Sequence, residues 1–363
     1  IIETRPHYSP RAEGPWLRGL KVGSQGKVVS SLRRERRLEV PIENSKERVT
    51  TLLPLVTDSP NQLAAGSCFY MALTGAMEIA LAKDSPELAN IHDGPIDLSE
   101  RFVMNQAVLH EDSIDSWQYD SILLFNRLRG LALNRDYRFT KGWYQPHHSD
   151  KTGPNGIGIP AEENAENARY GCYANWIIED GLEFLPRVEL PPFQRKVLFR
   201  PPLGGDQWST GLLNPQSLDL VKASLRKHER PILAIYNHFG CWHTVLIIGY
   251  DDSIASSPSF VEEFCKYMTK WSNRYEEWGM SKKAKEYRLA VDGVEKNMEE
   301  NWGQGWDDGV FFVRDSIYSK DGNDIYDYDE SKSGEESPYA TGVITRDYTW
   351  LMHLVNHLVL LSF

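Results

Sequence analysis

The chain has 363 residues, of which 41% are hydrophobic and 11% aromatic, so it can bury the core of one large or two ordinary domains and is neither disordered nor fibrous. Its 40 lysines and arginines against 51 aspartates and glutamates give a net charge of −11, which argues against nucleic acid or an anionic membrane as the partner. No apolar run approaches the roughly 20 residues that cross a bilayer. The four scattered cysteines are too few for a disulfide scaffold and lack the paired spacing of a zinc site.

The first part of the chain is predicted to be an extension followed by helices. Residues 1–40 are rich in Arg, Gly and Pro and lack apolar periodicity, so we interpret them as an N-terminal extension. The sequence starts at Ile1 rather than Met, from which we expect a removed leader or a trimmed chain. Residues 67–83 are strong helix formers without proline, and residues 96–133 continue in helical style with Ser99 at the cap. A loop is predicted over 141–160 and a further helix over the stretch that ends at Gly181.

The second part is predicted to be dominated by strands. After a helix that ends before Pro231, four runs are rich in β-branched and aromatic residues and bounded by turn residues, which is typical of strands. These runs are ILAIY, TVLIIGY, GVFFVRD and YATGVITRDYTW. Between the second and third runs, aromatic residues recur at steps of three and four from Phe260 to Trp278, which predicts one amphipathic helix inserted at about 253–308. We predict a buried strand or helix for the apolar tail after Trp350.

Cys68 is the first candidate for chemistry because it follows Gly66 and Ser67 at the start of the strong helix. A helix N-terminus has unpaired N–H groups and a positive dipole end, which favour the thiolate, and the thiolate is the nucleophile. From this segment alone, a buried structural cysteine is an equally good interpretation.

His243 is the second candidate because it opens an apolar strand that ends in the turn residues Gly249 to Asp252. A histidine at the mouth of a strand can face a cleft, although an ordinary histidine in this place needs no function. The neighbouring Cys241 and Trp242 are interpreted as packing residues.

Taken together, several segments resemble the papain-like cysteine peptidases, in order from about Val40 to beyond Asp315. Gly-Ser-Cys-Phe at Cys68 is similar to the family's Gly-Ser-Cys-Trp, and Gln62 lies six residues before it, as the family's oxyanion-hole glutamine does. The segment IDLSERFVMNQ resembles the Leu-Ser-Glu-Gln segment, and YGCYANWIIEDGLEFLPRVELPPF resembles the stretch beside the substrate cleft. Trp-His-Thr at His243, with its Gly-Tyr end, resembles the histidine strand.

The departures from the family pattern indicate a divergent member, of bacterial type. Ala65 stands where the family usually has a cysteine, and the chain between the histidine and the third residue is lengthened by the insertion. The Asn-Ser-Trp-Gly motif has two imperfect matches, Asp315-Ser316 and Asn301-Trp302. We favour Asp315 because an aromatic strand precedes it, and Asn301 stays an alternative.

The resemblance implies an α+β papain-like fold of two subdomains with a cleft between them. We expect a mainly helical left subdomain at 41–210 and a sheet-rich, β-barrel-like right subdomain at 211–363. Cys68 would attack a peptide carbonyl, His243 would hold the thiolate and protonate the leaving amine, and Asp315 would orient the imidazole. The side chain of Gln62 and the backbone N–H of Cys68 would bind the oxyanion. Gly171 is the expected contact of the substrate backbone.

These expectations describe a cysteine endopeptidase that acts on polypeptide substrates, without a cofactor or a metal. The family also implies that residues 1–40 are a zymogen's autoinhibitory propeptide, with the Arg33 to Arg37 cluster as processing site, or else a surface arm. A secreted or lysosome-like location follows from the same comparison. Two alternatives stay open: a catalytically inactive binding protein on the same fold, and a Cys-His enzyme that acts on side-chain amides, like deamidases or transglutaminases.

Overall fold

A computed structural model describes residues 2–5, 46–59, 67–91, 93–110, 130–138, 144–146, 174–179, 182–192, 194–201, 210–255, 259–301, 308–318 and 342–362. In these ranges the chain has seven α-helices and ten strands, which is an α+β architecture. This confirms the predicted fold class at that level.

Three helices lie in the first part of the described chain. Helix α1 is Cys68–Asp84, α2 is Glu87–Ile91 and α3 is Glu100–His110. Every residue of α1 from Cys68 to Leu81 is buried, so this helix is apolar all round and its neighbours cover all its faces. The start of α3 is capped as predicted, because the Ser99 hydroxyl accepts a hydrogen bond from the backbone N–H of Phe102 at 2.9 Å.

The strands form two antiparallel sheets. The smaller sheet has the order β1, β4, β3, from Ile2–Arg5, Ala174–Glu179 and Tyr144–Pro146. The larger sheet has seven strands in the order β5, β10, β6, β7, β8, β9, with β2 paired to the far end of β7. Its strands are β2 (Arg48–Val49), β5 (Gln194–Phe199), β6 (Ile232–His238), β7 (Cys241–Asp251), β8 (Val310–Arg314), β9 (Val343–Asp347) and β10 (Val355–Ser362).

The larger sheet is covered by helices on both faces, and its central strands β6, β7 and β8 are therefore buried on both faces. Leu246 and Ile248 of β7 pack with α1 and α3 in one core, whereas Val245 and Ile247 pack in a second core. This alternation follows from the two-residue period of a strand. The second core contains the remaining helices: α4 (Pro215–His228), α5 (Ser259–Glu277), α6 (Ser281–Asn301) and α7 (Tyr348–Leu354).

The expected β-barrel is not closed. Among the described residues the larger sheet is open, with β5 at one edge and β9 at the other. Its two faces are instead covered by helices, which bury the apolar side chains that a closed barrel would enclose.

Three element predictions were wrong. The segment Ala174–Glu179 is strand β4 rather than helix, since it pairs with β1 on one side and β3 on the other. Leu131 and Leu133 form isolated β-bridges instead of continuing a helix. The insertion contains two antiparallel helices, α5 and α6, rather than one. The tail contains both of the predicted alternatives, helix α7 followed by strand β10.

Among the described residues, no helix is both long and apolar enough to cross a membrane.

Candidate active site

Cys68 is the first residue of α1, at the N-terminal end where the sequence predicts it. The helix starts there because the backbone N–H of Met71 donates to the carbonyl of Ser67 at 3.0 Å, after which good helix formers follow without interruption. The Cys68 side chain is free of a disulfide and buried, with 3% of the residue exposed. The thiol therefore lies at the N-terminal end of a 17-residue helix, next to the positive end of the helix dipole.

His243 is brought to the same place by a tight hairpin. Strands β6 and β7 are joined by the two residues Phe239 and Gly240, both with positive φ, and the register pairs Tyr236 with His243. The Asn237 side chain holds this turn by accepting a hydrogen bond from the Gly240 backbone N–H at 2.9 Å. Positive φ at both central residues matches the twist of the flanking strands, which explains why the turn fits. His243 is thereby fixed as the third residue after the turn.

Asp315 follows the last residue of β8, the strand that pairs with β7. Its Oδ1 lies 2.8 Å from Nε2 of His243, and both side chains are buried. The same oxygen accepts the backbone N–H of Ile317 at 3.0 Å. Because Asp315 holds Nε2, the other ring nitrogen, Nδ1, is left for the Cys68 thiol, with which His243 also shares a hydrogen bond. The imidazole thus stands between a thiol and a carboxylate.

The electrostatics of the pair favour a charged imidazole. Burial by itself would lower the pKa of His243, but the charge and hydrogen bond of Asp315, followed by the contact with Cys68, raise it to about 9. Burial would raise the pKa of Asp315, but the charge and hydrogen bond of His243 and the charge of Arg346 lower it. At neutral pH these shifts favour an imidazolium beside a carboxylate, which is the partner that a thiolate needs.

A second histidine lies beside the site. The rings of His238 and His243 are 5.2 Å apart, and Nδ1 of His238 is 2.9 Å from the hydroxyl of Tyr236. Burial and the charge of His243 hold the pKa of His238 well below its usual value. His238 is therefore neutral while His243 is charged, so it does not compete for the proton.

Arg314, the neighbour of Asp315 in sequence, is directed to the opposite core. Its guanidinium donates to the carbonyl of Met71 in α1 at 2.9 Å and lies 3.5 Å from Glu78 and 3.9 Å from Glu100. All three charged side chains are at most 2% exposed. A buried ion cluster thus joins α1, α3 and β8, and it fixes the helix that begins at Cys68 relative to the strand that ends before Asp315.

The alternative third residue, Asn301, is not at the site. It is the last residue of α6, and its side-chain N–H group donates to the carbonyl of Asn297 at 3.1 Å. His243 instead meets Asp315. The catalytic roles of the three residues stay predictions.

Other expected features lie outside the described residues. Gln62, Gly171 and residues 6–45 are not described, so the predicted oxyanion donor, the substrate contact and the body of the N-terminal extension are not placed. Cys241 is disulfide-bonded, whereas Cys265 is free. In the part of the chain that the structure describes, no group of three or more His, Cys, Asp or Glu side chains could hold a metal ion.

Sequence reasoning missed Arg346, His238 and the cluster around Arg314. The Arg314 cluster had a signal, because a charged residue inside the apolar run GVFFVRD needs a buried partner. Arg346 had none, since it lies in a different strand 31 residues after Asp315 in the printed sequence.

In comparisons with known proteins, no protein-family model matches this chain, and no curated protein matches it.

Proposed function

We propose that the protein is a papain-like cysteine peptidase, with Cys68 as nucleophile, His243 as general base and acid, and Asp315 as the orienting residue. The observation that carries the proposal is the position of His243, which shares hydrogen bonds with a thiol at a helix N-terminus and with a buried carboxylate. This arrangement suits a thiolate and imidazolium pair.

The chemistry follows from these groups. The Cys68 thiolate attacks a carbonyl carbon, and the oxyanion that forms is stabilised by the backbone N–H of Cys68 and the side chain of Gln62. His243 gives its proton to the leaving amine. It then takes a proton from water, which attacks the thioester and releases the acid, so that the Cys68 thiolate and the His243 imidazolium are regenerated.

Two further parts of the proposal concern the arrangement of the subdomains and the location of the protein. The papain-like arrangement of two subdomains is supported by α1 packing on one side of a sheet whose strand β7 carries His243. A secreted or lysosome-like location is supported by the disulfide of Cys241, because disulfides persist in oxidising compartments. The autoinhibitory role of residues 1–40 stays a prediction.

The test is digestion of an unfolded protein, with products identified by mass, for the wild type and Cys68→Ser. We expect shortened chains with new termini, formed by the wild type only. Products of full length that carry hydrolysed or exchanged side-chain amides would replace the peptidase with the deamidase or transglutaminase alternative. Equal binding of the substrate by both proteins without any product would favour the inactive binding protein.

A further inference from the structure

The Asp315 carboxylate is charged, whereas an asparagine side chain at this position would be neutral. Besides His243, a second side chain, Arg346, lies beside this charge. One oxygen, Oδ1, is used by His243 and by the backbone N–H of Ile317. The other, Oδ2, has no hydrogen-bond partner among the described residues, and it lies 3.8 Å from Nη2 of Arg346. Asp315 is fully buried, so a cation beside Oδ2 offsets a large desolvation cost.

Arg346 is held in this position by the inserted helices. Its guanidinium carbon lies 4.1 Å from the centre of the Phe260 ring, which belongs to the first turn of α5. An arginine over an aromatic face is attracted by the ring electrons, and its planar group loses little freedom when it is stacked. Phe260 also contacts Tyr236 and Phe239 of the β6 and β7 hairpin, with ring centres 6.3 and 5.4 Å apart. The insertion is thus connected to the strands that carry His243.

We propose that Arg346, stacked on Phe260, is a positioning residue that holds the Asp315 carboxylate toward His243, and that supporting it is a role of the insertion. The inference rests on the proposed Cys-His chemistry, which it deepens. It assigns to α5 a contact behind the proposed catalytic groups.

Few charged or titratable groups face this carboxylate in the part of the chain that the structure describes. They are His243 on β7, Arg346 on β9, and, across the imidazole, Cys68 on α1 and His238 on β6. Arg346 is the permanent cation among them. Loss of the Arg346 charge raises the pKa of Asp315. It also removes a positive charge near the His243 imidazolium, which raises the pKa of His243. Both limbs of the pH profile are therefore expected to move to higher pH.

The experiment measures the rate of alkylation of Cys68 by iodoacetamide from pH 4 to pH 10, with the modified residue identified by peptide mass. We expect Arg346→Met to shift the whole profile upward and to lower the rate at the acid limb roughly threefold or more. Arg346→Lys keeps the charge and should largely restore the profile. Phe260→Leu should shift it in the same direction by less.

Two controls separate positioning from general stability. Phe264 lies one turn further along α5, and its fully buried ring contacts Phe239. The described contacts of this ring do not include Arg346, so Phe264→Leu should leave the pH profile unchanged. In an Asp315→Asn background, Arg346→Met should have a clearly smaller effect, because the carboxylate charge that it serves is gone. If Arg346→Met fails to fold, Phe260→Leu gives the same comparison with a smaller expected shift.

A profile of Arg346→Met that superimposes on the wild type, or an effect of the same size in the Asp315→Asn background, would overturn the proposal. Alkylation does not require peptide hydrolysis. A protein that shows the expected shifts but digests no substrate would therefore retain the role of Arg346 and lose the proposed peptidase activity.

Discussion

Asp315 is the residue by which this site departs most from the papain-like pattern, and the structure shows how the change is accommodated. A carboxylate in place of an amide makes the same hydrogen bond to Nε2 of His243 and adds a negative charge. The added charge favours the imidazolium, which explains why the pKa of a buried histidine is raised rather than lowered. For the proposed peptidase we therefore expect activity that extends into alkaline solution.

Replacement of Asp315 by Asn tests this account at the scale of one residue. The amide oxygen still accepts the hydrogen bond from Nε2, but the charge is lost, so the pKa of His243 should fall from about 9 toward its usual 6.5. The alkaline limb of the rate of peptide hydrolysis should move to lower pH by the same amount. An unchanged alkaline limb would mean that another group sets the pKa of His243.

Gly75 allows helix α1 to approach strand β8 closely. A Cβ atom built at Gly75 would lie 2.2 Å from Nη1 of Arg314. Glycine costs about 1 kcal/mol relative to alanine inside a helix. Here it makes room for a buried guanidinium that donates to the carbonyl of Met71 and lies 3.5 and 3.9 Å from Glu78 and Glu100.

Gly75→Ala should therefore destabilise the protein although alanine is the better helix former. Displacing the buried guanidinium costs roughly 3 kcal/mol or more, so we expect a net loss of about 2 kcal/mol or more in the free energy of unfolding by urea. In an Arg314→Met background the same change should cost nothing further, because the obstacle has been removed. A stabilised single variant would contradict the contact.

The elements show where sequence patterns suffice. Helix α1 and strands β6, β7 and β8 are continuous apolar segments, and each was predicted from its helix formers or from its β-branched and aromatic residues. Cys68 begins α1 and His243 lies in β7 as predicted, and Asp315 directly follows β8. Strand β4 was predicted as a helix because Trp176, Ile177 and Ile178 occur in a short apolar run that fits both structures. The segment forms a strand because it pairs with β1 and β3, and that pairing joins residues far apart in sequence. Helix α6 was missed since its buried face is mostly alanine and valine among many charges.

In the molecule as a whole, the helical layer of α1 and α3 is joined to the large sheet by a buried cluster of charged side chains. Burial raises the pKa of Glu78 to about 8, and this effect exceeds the opposite effect of the Arg314 cation at 3.5 Å. The pKa of Glu100 is raised well above its usual range by burial and by Glu78. The contacts of Arg314 join α1, α3 and β8, so the protonation of this cluster concerns the whole fold.

We expect the free energy of unfolding to fall as the pH rises from about 6.5 to 9, because below that range the lowered pKa values of the buried His353 and His357 act in the opposite direction. A carboxyl whose pKa is raised from 4.5 to about 8 on folding contributes stability that is present below pH 4.5 and is lost as the pH rises through 8. His243, raised from 6.5 to about 9, contributes stability that is lost between those values. Glu78→Gln should remove the first part of the decline and keep the second.

Urea denaturation at a series of pH values measures this dependence, with Glu262→Gln, an exposed glutamate on α5, as the matched control. The control should follow the wild type. A wild-type protein that gains stability between about pH 6.5 and 9, or a Glu78→Gln variant with an unchanged slope in that range, would contradict the assignment.

The site as a whole was only partly predictable. Cys68 and His243 are in segments that could be recognised singly, and Asp315 was preferred to Asn301 because a strand precedes it. The support for these groups comes from Arg346, Phe260 and Tyr236, whose side chains meet only after the sheet and the insertion have packed. No local pattern around any of them indicates that contact.

The measurement that tests the central claim most directly is labelling with an irreversible epoxide inhibitor of papain-like enzymes, followed by peptide mass mapping. We expect the inhibitor to label Cys68 in the wild type and in Asn301→Ala. Labelling should be weaker in Asp315→Ala and absent in His243→Ala. Cys265 provides an internal control, since it is a free thiol whose pKa is raised to about 11, chiefly by burial, and it should stay unlabelled. An unlabelled Cys68, or labelling that survives His243→Ala, would contradict the existence of an activated thiol and with it the proposed peptidase.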